Sequence, residues 1–132
     1  MIKTIQNWLD VRKQYKLEQQ RQELISVAKV IISDIMRELV KYDIECSYYG
    51  TISRCLLRGY HINYGTTSKL KIALYIYPTK ILIEDYAEKA IATYEHLQWY
   101  QLFTKKSTKK KFYHAEDAVK AISNMIIMGE AI

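Results

Sequence analysis

The spacing of the apolar residues changes once, near residue 44. Between Tyr15 and Val40 they recur every three or four positions, which is the period of a helix with one buried face. From Ile44 onward they recur at every second position, which is the period of half-buried strands. This change of period predicts an α+β domain in which a long N-terminal helix comes first.

Length and composition favour a single domain over residues 1–132. The chain has 132 residues, of which 49% are hydrophobic, and only one Pro and four Gly, so no segment has the composition of a linker. Charged residues interrupt the apolar residues near the N-terminus, which argues against a signal peptide or a membrane span. We therefore expect a cytoplasmic protein with no membrane contact, in which Cys46 and Cys55 are reduced thiols.

The first helix divides into two parts with different patterns. Residues 24–40 carry an apolar face that should pack on a sheet. Residues 1–23 are mostly polar and indicate a helical arm that projects from the domain or pairs with another chain. Trp8, Leu9 and Val11 form a small apolar patch in this arm, which either folds back on the same domain or makes a dimer contact with a second copy.

Four strands are expected after the first helix, joined as an antiparallel meander. Gly50 and Thr51 suit a two-residue hairpin loop, and counting from this loop places Cys46 opposite Cys55. A loop is expected over residues 59–68. The third strand, with Leu70, Ile72, Leu74 and Ile76 facing inward, is followed by a turn at Pro78 and Thr79 and a fourth strand with Ile81 and Ile83 facing inward.

Two further helices are predicted toward the C-terminus. Asp85 and Glu88 have the spacing of a capping box, which predicts that the second helix begins there. Its apolar stripe would contain Ala87, Ala90, Ile91, Tyr94, Leu97 and Leu102. A third helix from about Ala115 would have an apolar face of Val119, Ile122, Met125 and Ile126. Three helices covering one face of about four strands would leave the other face open.

The open face and one loop carry the candidate binding residues. The strand alternation assigns to this face cations and aromatic rings: Tyr49, Arg54, Arg58, Lys69, Lys71, Tyr75, Tyr77 and Lys80. The densest charge in the chain is a predicted loop that contains Lys105, Lys106, Lys109, Lys110 and Lys111. Cations contact phosphates and Tyr rings stack on bases, so this surface suits nucleic acid. The alternative is that this face is only exposed to solvent and binds nothing, since Lys and Tyr are common on exposed strands.

Three functions are compatible with these features of the sequence. The formal net charge of +6 favours a non-enzymatic module that binds nucleic acid or an acidic protein surface. The second is an inhibitor or regulator of the type that phages and mobile elements encode, acting on a protein that handles nucleic acid. The third is a divalent-metal nuclease using Glu84, Asp85 and Glu88. No glycine-rich phosphate turn, nucleophile motif or metal-ligand spacing is present, so no cofactor, metal or catalytic residue is expected.

Overall fold

The computed structural model describes residues 2–63, 66–85, 89–97 and 110–132, and their side chains apart from those of residues 2, 60–63 and 66–69. In these ranges the fold is α+β, with a long N-terminal helix first, as the sequence predicted. The elements are α1 (Ile2–Val40), β1 (Glu45–Gly50), β2 (Arg54–Asn63), β3 (Thr66–Ile76), β4 (Ile81–Glu84), β5 (Ala90–Tyr94), β6 (Lys110–Phe112) and α2 (Ala115–Met128).

Helix α1 is continuous over 39 residues. Its C-terminal half carries the predicted buried face, which is formed by Leu24, Ala28, Ile31, Ile35 and Leu39. Residues 3–16 are exposed along their whole length. The helix is followed by a turn over Lys41–Asp43, in which Asp43 takes a left-handed conformation with φ of 57°. This turn reverses the chain into β1.

The strands form one mixed sheet of six strands in the order β1-β2-β3-β4-β5-β6. The first five are antiparallel neighbours, and β6 pairs with β5 in parallel, so the predicted antiparallel sheet of about four strands is too small. The predicted turn at Pro78 and Thr79 is confirmed, and the backbone N–H of Tyr77 donates to the carbonyl oxygen of Lys80 across it.

The predicted second helix is wrong where the structure describes it. Ala90–Tyr94 is a strand, and Ile81, Leu82 and Ile83 of β4 pair with Tyr94, Thr93 and Ala92. Asp85 does accept a backbone N–H at 3.1 Å, but the donor is Lys89, so the contact closes the β4–β5 hairpin instead of capping a helix. Ala87 and Glu88, and Leu102 of the predicted stripe, lie outside the described residues.

The last predicted helix is confirmed as α2. Ala118 and Ile122 are fully buried, while Val119 and Met125 pack against the core from its margin. Glu116 and Asp117 lie in the first turn, where carboxylates interact favourably with the helix dipole. Gly129 ends the helix with φ of 73°, a conformation that favours glycine.

The β1–β2 hairpin differs from the prediction in register but not in the faces of its strands. Its turn is centred on Ile52 and Ser53, with the N–H of Thr51 donating to the carbonyl oxygen of Arg54, so the loop predicted at Gly50 and Thr51 is wrong. Each residue of β1 therefore pairs four positions further along β2 than predicted. A shift by an even number keeps every side chain on its predicted face.

The two cysteines are consequently far apart. Cys46 pairs with Gly59, and Cys55 pairs with Gly50, whereas the predicted register placed the cysteines opposite each other. Four residues along a strand span about 13 Å, which excludes a disulfide in this conformation. Both cysteines are free thiols in the structure, and Cys55 is fully buried while Cys46 is half-buried.

We expect the two thiols to react at very different rates. Burial raises the pKa of both thiols, but only the Cys55 side chain is in addition fully inaccessible to a reagent. A disulfide reagent such as Ellman's reagent should therefore label Cys46 at least about tenfold faster than Cys55 in the folded protein. Cys46→Ser should remove the fast phase. Equal rates for the two thiols in the folded state would contradict the burial of Cys55.

The expected loop over residues 59–68 is also wrong, because β2 and β3 continue toward each other through most of it. They pair from Arg54 with Tyr75 to Asn63 with Thr66, which makes them the longest hairpin of the sheet. Residues 64 and 65, between the strands, lie outside the described residues.

Both helices pack on one face of the sheet. A single core cluster joins the buried faces of α1 and α2 to inward residues of the strands, including Leu57, Ile72, Leu74, Ile81, Ile83 and Phe112. The opposite side of the sheet is called the outer face below, and it contains Glu45, Ser47, Tyr49, Arg54, Leu56, Arg58, Lys71, Ala73, Tyr75, Leu82 and Glu84.

Candidate nucleic-acid interface

Strand pairing arranges the outer face in rows that cross the sheet. One row joins Arg54 to Tyr75, and Tyr75 to Leu82. The next row joins Tyr49 to Leu56, Ala73 and the acidic Glu84, and the third joins Arg58 to Lys71. Successive rows are about 6.6 Å apart, because each step advances two residues along a strand.

Two cations stand directly opposite each other in the third row. Arg58 is exposed and Lys71 is half-buried, and the residue that pairs with Arg58 on its other side is the neutral Ser47. Directly opposed residues of neighbouring strands lie close together, so both side chains can reach the same bound group. A phosphate over this row can therefore contact two cations.

Aromatic rings lie in the two rows on one side of Arg58 and Lys71. The guanidinium carbon of Arg54 lies 6.0 Å from the centroid of the Tyr75 ring, within the range of a cation–π contact. Tyr49 is 60% exposed on the neighbouring row, so its ring is accessible to a ligand. The outer face thus presents both of the groups that single-stranded nucleic acid requires, namely cations for phosphates and rings for bases.

Tyr77 and Lys80 form a second cation–aromatic pair at the β3–β4 turn. The Lys80 Nζ atom lies 5.9 Å from the centroid of the Tyr77 ring, which is 45% exposed. This pair lies beyond the row of Arg54 and Tyr75, because Tyr77 follows Tyr75 by one step of the alternation. The backbone register places Lys69 opposite Tyr60, one row beyond Lys71, and its side chain lies outside the described part.

The lysine cluster is divided by the structure. Lys105, Lys106 and Lys109 lie outside the described residues. Lys111 lies opposite Thr93 and forms an ion pair with Glu95 at 3.4 Å, which reduces its charge toward a ligand. Lys110 is exposed on the other side of β6, and its Nζ atom lies 5.8 Å from the ring of Phe112 in the helix-covered core. Lys110 therefore does not belong to the outer face.

An apolar row at the centre of this face was not predicted from the sequence. Leu56 and Ala73 are 3% and 1% exposed, yet neither belongs to the core cluster under the helices. The rows on either side carry longer side chains, and the apolar stems of Arg and Lys cover such surface. Leu56 lies between Arg54 and Arg58 in the alternation of β2, which indicates an apolar residue on the outer face, but only the two arginines were used in the prediction.

No candidate metal centre is found in the part of the chain that the structure describes. Within residues 2–63, 66–85, 89–97 and 110–132, no group of three His, Cys, Asp or Glu side chains could hold a metal ion. Glu88, one of the three carboxylates considered for a nuclease, lies outside those ranges. Among the described helices none is both long and apolar enough to cross a bilayer.

Comparisons with protein-family models, with curated proteins and with solved structures find no match for this chain.

Proposed function

We propose that the protein is a non-enzymatic cytoplasmic module that binds nucleic acid on the outer face of its sheet. The opposed cations Arg58 and Lys71 are the observation that carries this proposal. They are placed where one phosphate can contact both, and cation–phosphate contacts gain free energy through the release of counterions.

The aromatic residues suggest which form of nucleic acid the face prefers. A sheet face with exposed aromatic rings can act as a platform on which unpaired bases stack, whereas the bases of a duplex are already stacked on each other. Tyr49, Tyr75 and Tyr77 supply three rings, and Arg54 and Lys80 supply cations next to two of them. We expect single strands to bind more tightly than duplexes of the same length.

The double variant Arg58→Gln, Lys71→Gln tests the proposal. Loss of two phosphate contacts should weaken the binding of a labelled single strand at least about tenfold and lower the slope of log affinity against log salt by about 1.4. Fluorescence anisotropy between about 50 and 200 mM salt measures both quantities.

A charge-matched control separates site binding from general attraction. Lys41→Gln, Lys120→Gln also removes two positive charges, but these residues lie after α1 and on α2, on the helix side of the sheet. This control should bind nearly as the wild type does. An equal loss in both variants would assign the affinity to net charge, and no binding at the lowest salt would refute the proposal.

A protein partner is the second candidate function. An inhibitor or regulator of phage or mobile-element type would use the same cations on the acidic surface of a nucleic-acid-handling protein, with the apolar row of Leu56 and Ala73 near the centre of the contact. Its affinity should depend less on salt than that of nucleic acid. Binding of the chain to a second copy through α1 is compatible with either candidate. A nuclease remains the weakest alternative, and metal-dependent cleavage of the labelled strand would support it.

A further inference from the structure

The N-terminal half of α1 has no stabilising contact comparable to that of its C-terminal half. Residues 3–16 are all exposed, and the first buried residue of the helix is Leu24. Large apolar side chains lie on this arm with high exposure: Ile5 at 60%, Trp8 at 58%, Leu9 at 48%, Val11 at 65% and Tyr15 at 64%. A helix of this length is only marginally stable in water without packing. Its apolar residues need a surface that covers them.

A groove of about 1040 Å³ lies between the C-terminal half of α1 and the β1–β2 hairpin. Its lining includes Ile25, Ile32, Met36, Val40, Tyr48 and Ile52. Val40 is 68% exposed and Ile52 is 67% exposed, although both are apolar. Met36 also packs against the core from its margin, whereas Val40 lies exposed at the groove.

The arm and the groove lie on the same side of α1. Trp8, Tyr15, Gln22, Lys29 and Met36 follow one another in steps of seven residues. Residues seven apart lie on nearly the same side of a helix, with a drift of about 20° at each step. The last three of these residues line the groove. One continuous surface therefore joins Trp8, Val11 and Tyr15 of the arm to the groove.

We propose that a second copy of the chain covers this surface, with the two α1 helices antiparallel and each arm lying in the groove of the other copy. A two-fold axis between Glu23 and Leu24 brings together residues whose numbers sum to 47. Val11 of each copy then faces Met36 of the other, and Trp8 lies beside Val40. The same axis places Glu18 against Lys29, so the charges across the contact are complementary as well.

Self-complementarity is the reason for choosing a second copy over another occupant. A single symmetry operation covers both exposed surfaces at once, as an isologous interface requires. The two helices would overlap from residue 7 to residue 40, which is about 50 Å of helix. A contact of that length can reach the roughly 800 Å² on each copy that a standard specific interface buries. This inference does not depend on nucleic-acid binding.

Sedimentation equilibrium of the full chain tests the dimer and its location. Wild type should be a dimer at micromolar concentration, and Val11→Asp and Met36→Asp should each raise the dissociation constant about 100-fold by placing a charge in the apolar contact. Met128→Asp is the matched control, because Met128 is 62% exposed at the end of α2, and it should not change the dissociation constant.

Charge reversal tests the register. Glu18→Lys and Lys29→Glu should each weaken the dimer at least about tenfold, since each places like charges opposite each other at two symmetric positions. The double variant Glu18→Lys, Lys29→Glu should restore wild-type affinity, because every pair is again of opposite sign. Circular dichroism on each variant checks that the domain remains folded.

A disulfide cross-link gives an independent result. In a background of Cys46→Ser and Cys55→Ala, the pair Val11→Cys, Met36→Cys should form a covalent dimer on oxidation. These positions are about 37 Å apart within one helix, so only an intermolecular bond is possible. Val11→Cys, Val30→Cys, with the second thiol on another side of α1, should cross-link much less. A monomeric wild type, a dimer insensitive to Val11→Asp, or equal cross-linking of both pairs would overturn the proposal.

Discussion

Ile72→Asp is expected to abolish the cooperative unfolding of the domain. Ile72 is 1% exposed, pairs with Leu57 and lies in β3, which has a neighbouring strand on both sides. A carboxylate at this position would have to be buried without a compensating charge or become protonated. The cost of about 4 kcal/mol or more is a large part of the roughly 5–15 kcal/mol by which domains are stable. Thermal melting followed by circular dichroism should show no native transition.

Two milder changes make this result specific. Ile72→Val removes one methylene group and should cost only about 1 kcal/mol. Replacing Tyr75 and Tyr77 with Ala on the outer face should leave folding nearly intact, because Tyr75 is half-buried and Tyr77 is 45% exposed. If the Tyr variant unfolded while Ile72→Asp melted as the wild type does, the two faces of the sheet would be assigned the wrong way round.

The elements that could be predicted from the sequence are those in which the apolar residues keep one period over many residues. The apolar stripe of α1 and the alternation of β3 repeat often enough that helix and strand differ clearly, and α2 combines such a stripe with a polar first turn. The same alternation brought Tyr49, Arg54, Arg58, Lys71 and Tyr75 to one face. Their arrangement in rows could not be read from the alternation, since it depends on which residues pair across strands.

Ala90–Tyr94 shows where local pattern fails. The segment from Asp85 to Leu97 contains Ala, Glu and Leu, which favour helices, and begins with the spacing of a capping box. In the structure β5 instead covers the edge of β4 and buries Ala92 and Tyr94 against the core. Pairing with a strand that is already in place outweighs a helix propensity of a few tenths of a kcal/mol per residue.

The register of the β1–β2 hairpin could not be predicted from the sequence pattern either, and here the reason is different. The predicted and the observed registers differ by four residues, so both bury the same side chains and both keep Arg54 and Arg58 on the outer face. Only contacts between individual opposed residues distinguish them. Gly59 makes the contact that is most sensitive to this difference.

Gly59→Ala is expected to loosen β1 from the sheet. Gly59 pairs with Cys46, and a Cβ atom added to it would meet the carbonyl oxygen of Glu45 and lie 2.8 Å from the Cβ atom of Cys46. The backbone of Glu45 cannot avoid the added atom by a side-chain rotation, so the edge strand β1 must move away from β2. Overpacking of this kind costs about 2 kcal/mol, which lowers Tm by about 6 °C for a chain of this size. Hydrogen exchange of the Glu45–Gly50 amides should accelerate while that of β3 amides is unchanged.

Gly50→Ala is the matched control within the same hairpin. The added Cβ atom would meet the outer atoms of the Tyr48 ring, which is 40% exposed and has room to rotate. The loss should be smaller and should include the contact between the Tyr48 hydroxyl and the Cys55 Sγ atom at 3.7 Å. The comparison also discriminates between the two registers. With a loop at Gly50 and Thr51, Gly59 would oppose Tyr42, beyond the end of β1, and Ala would be tolerated there. A wild-type Tm for Gly59→Ala would therefore support that register and contradict the observed pairing.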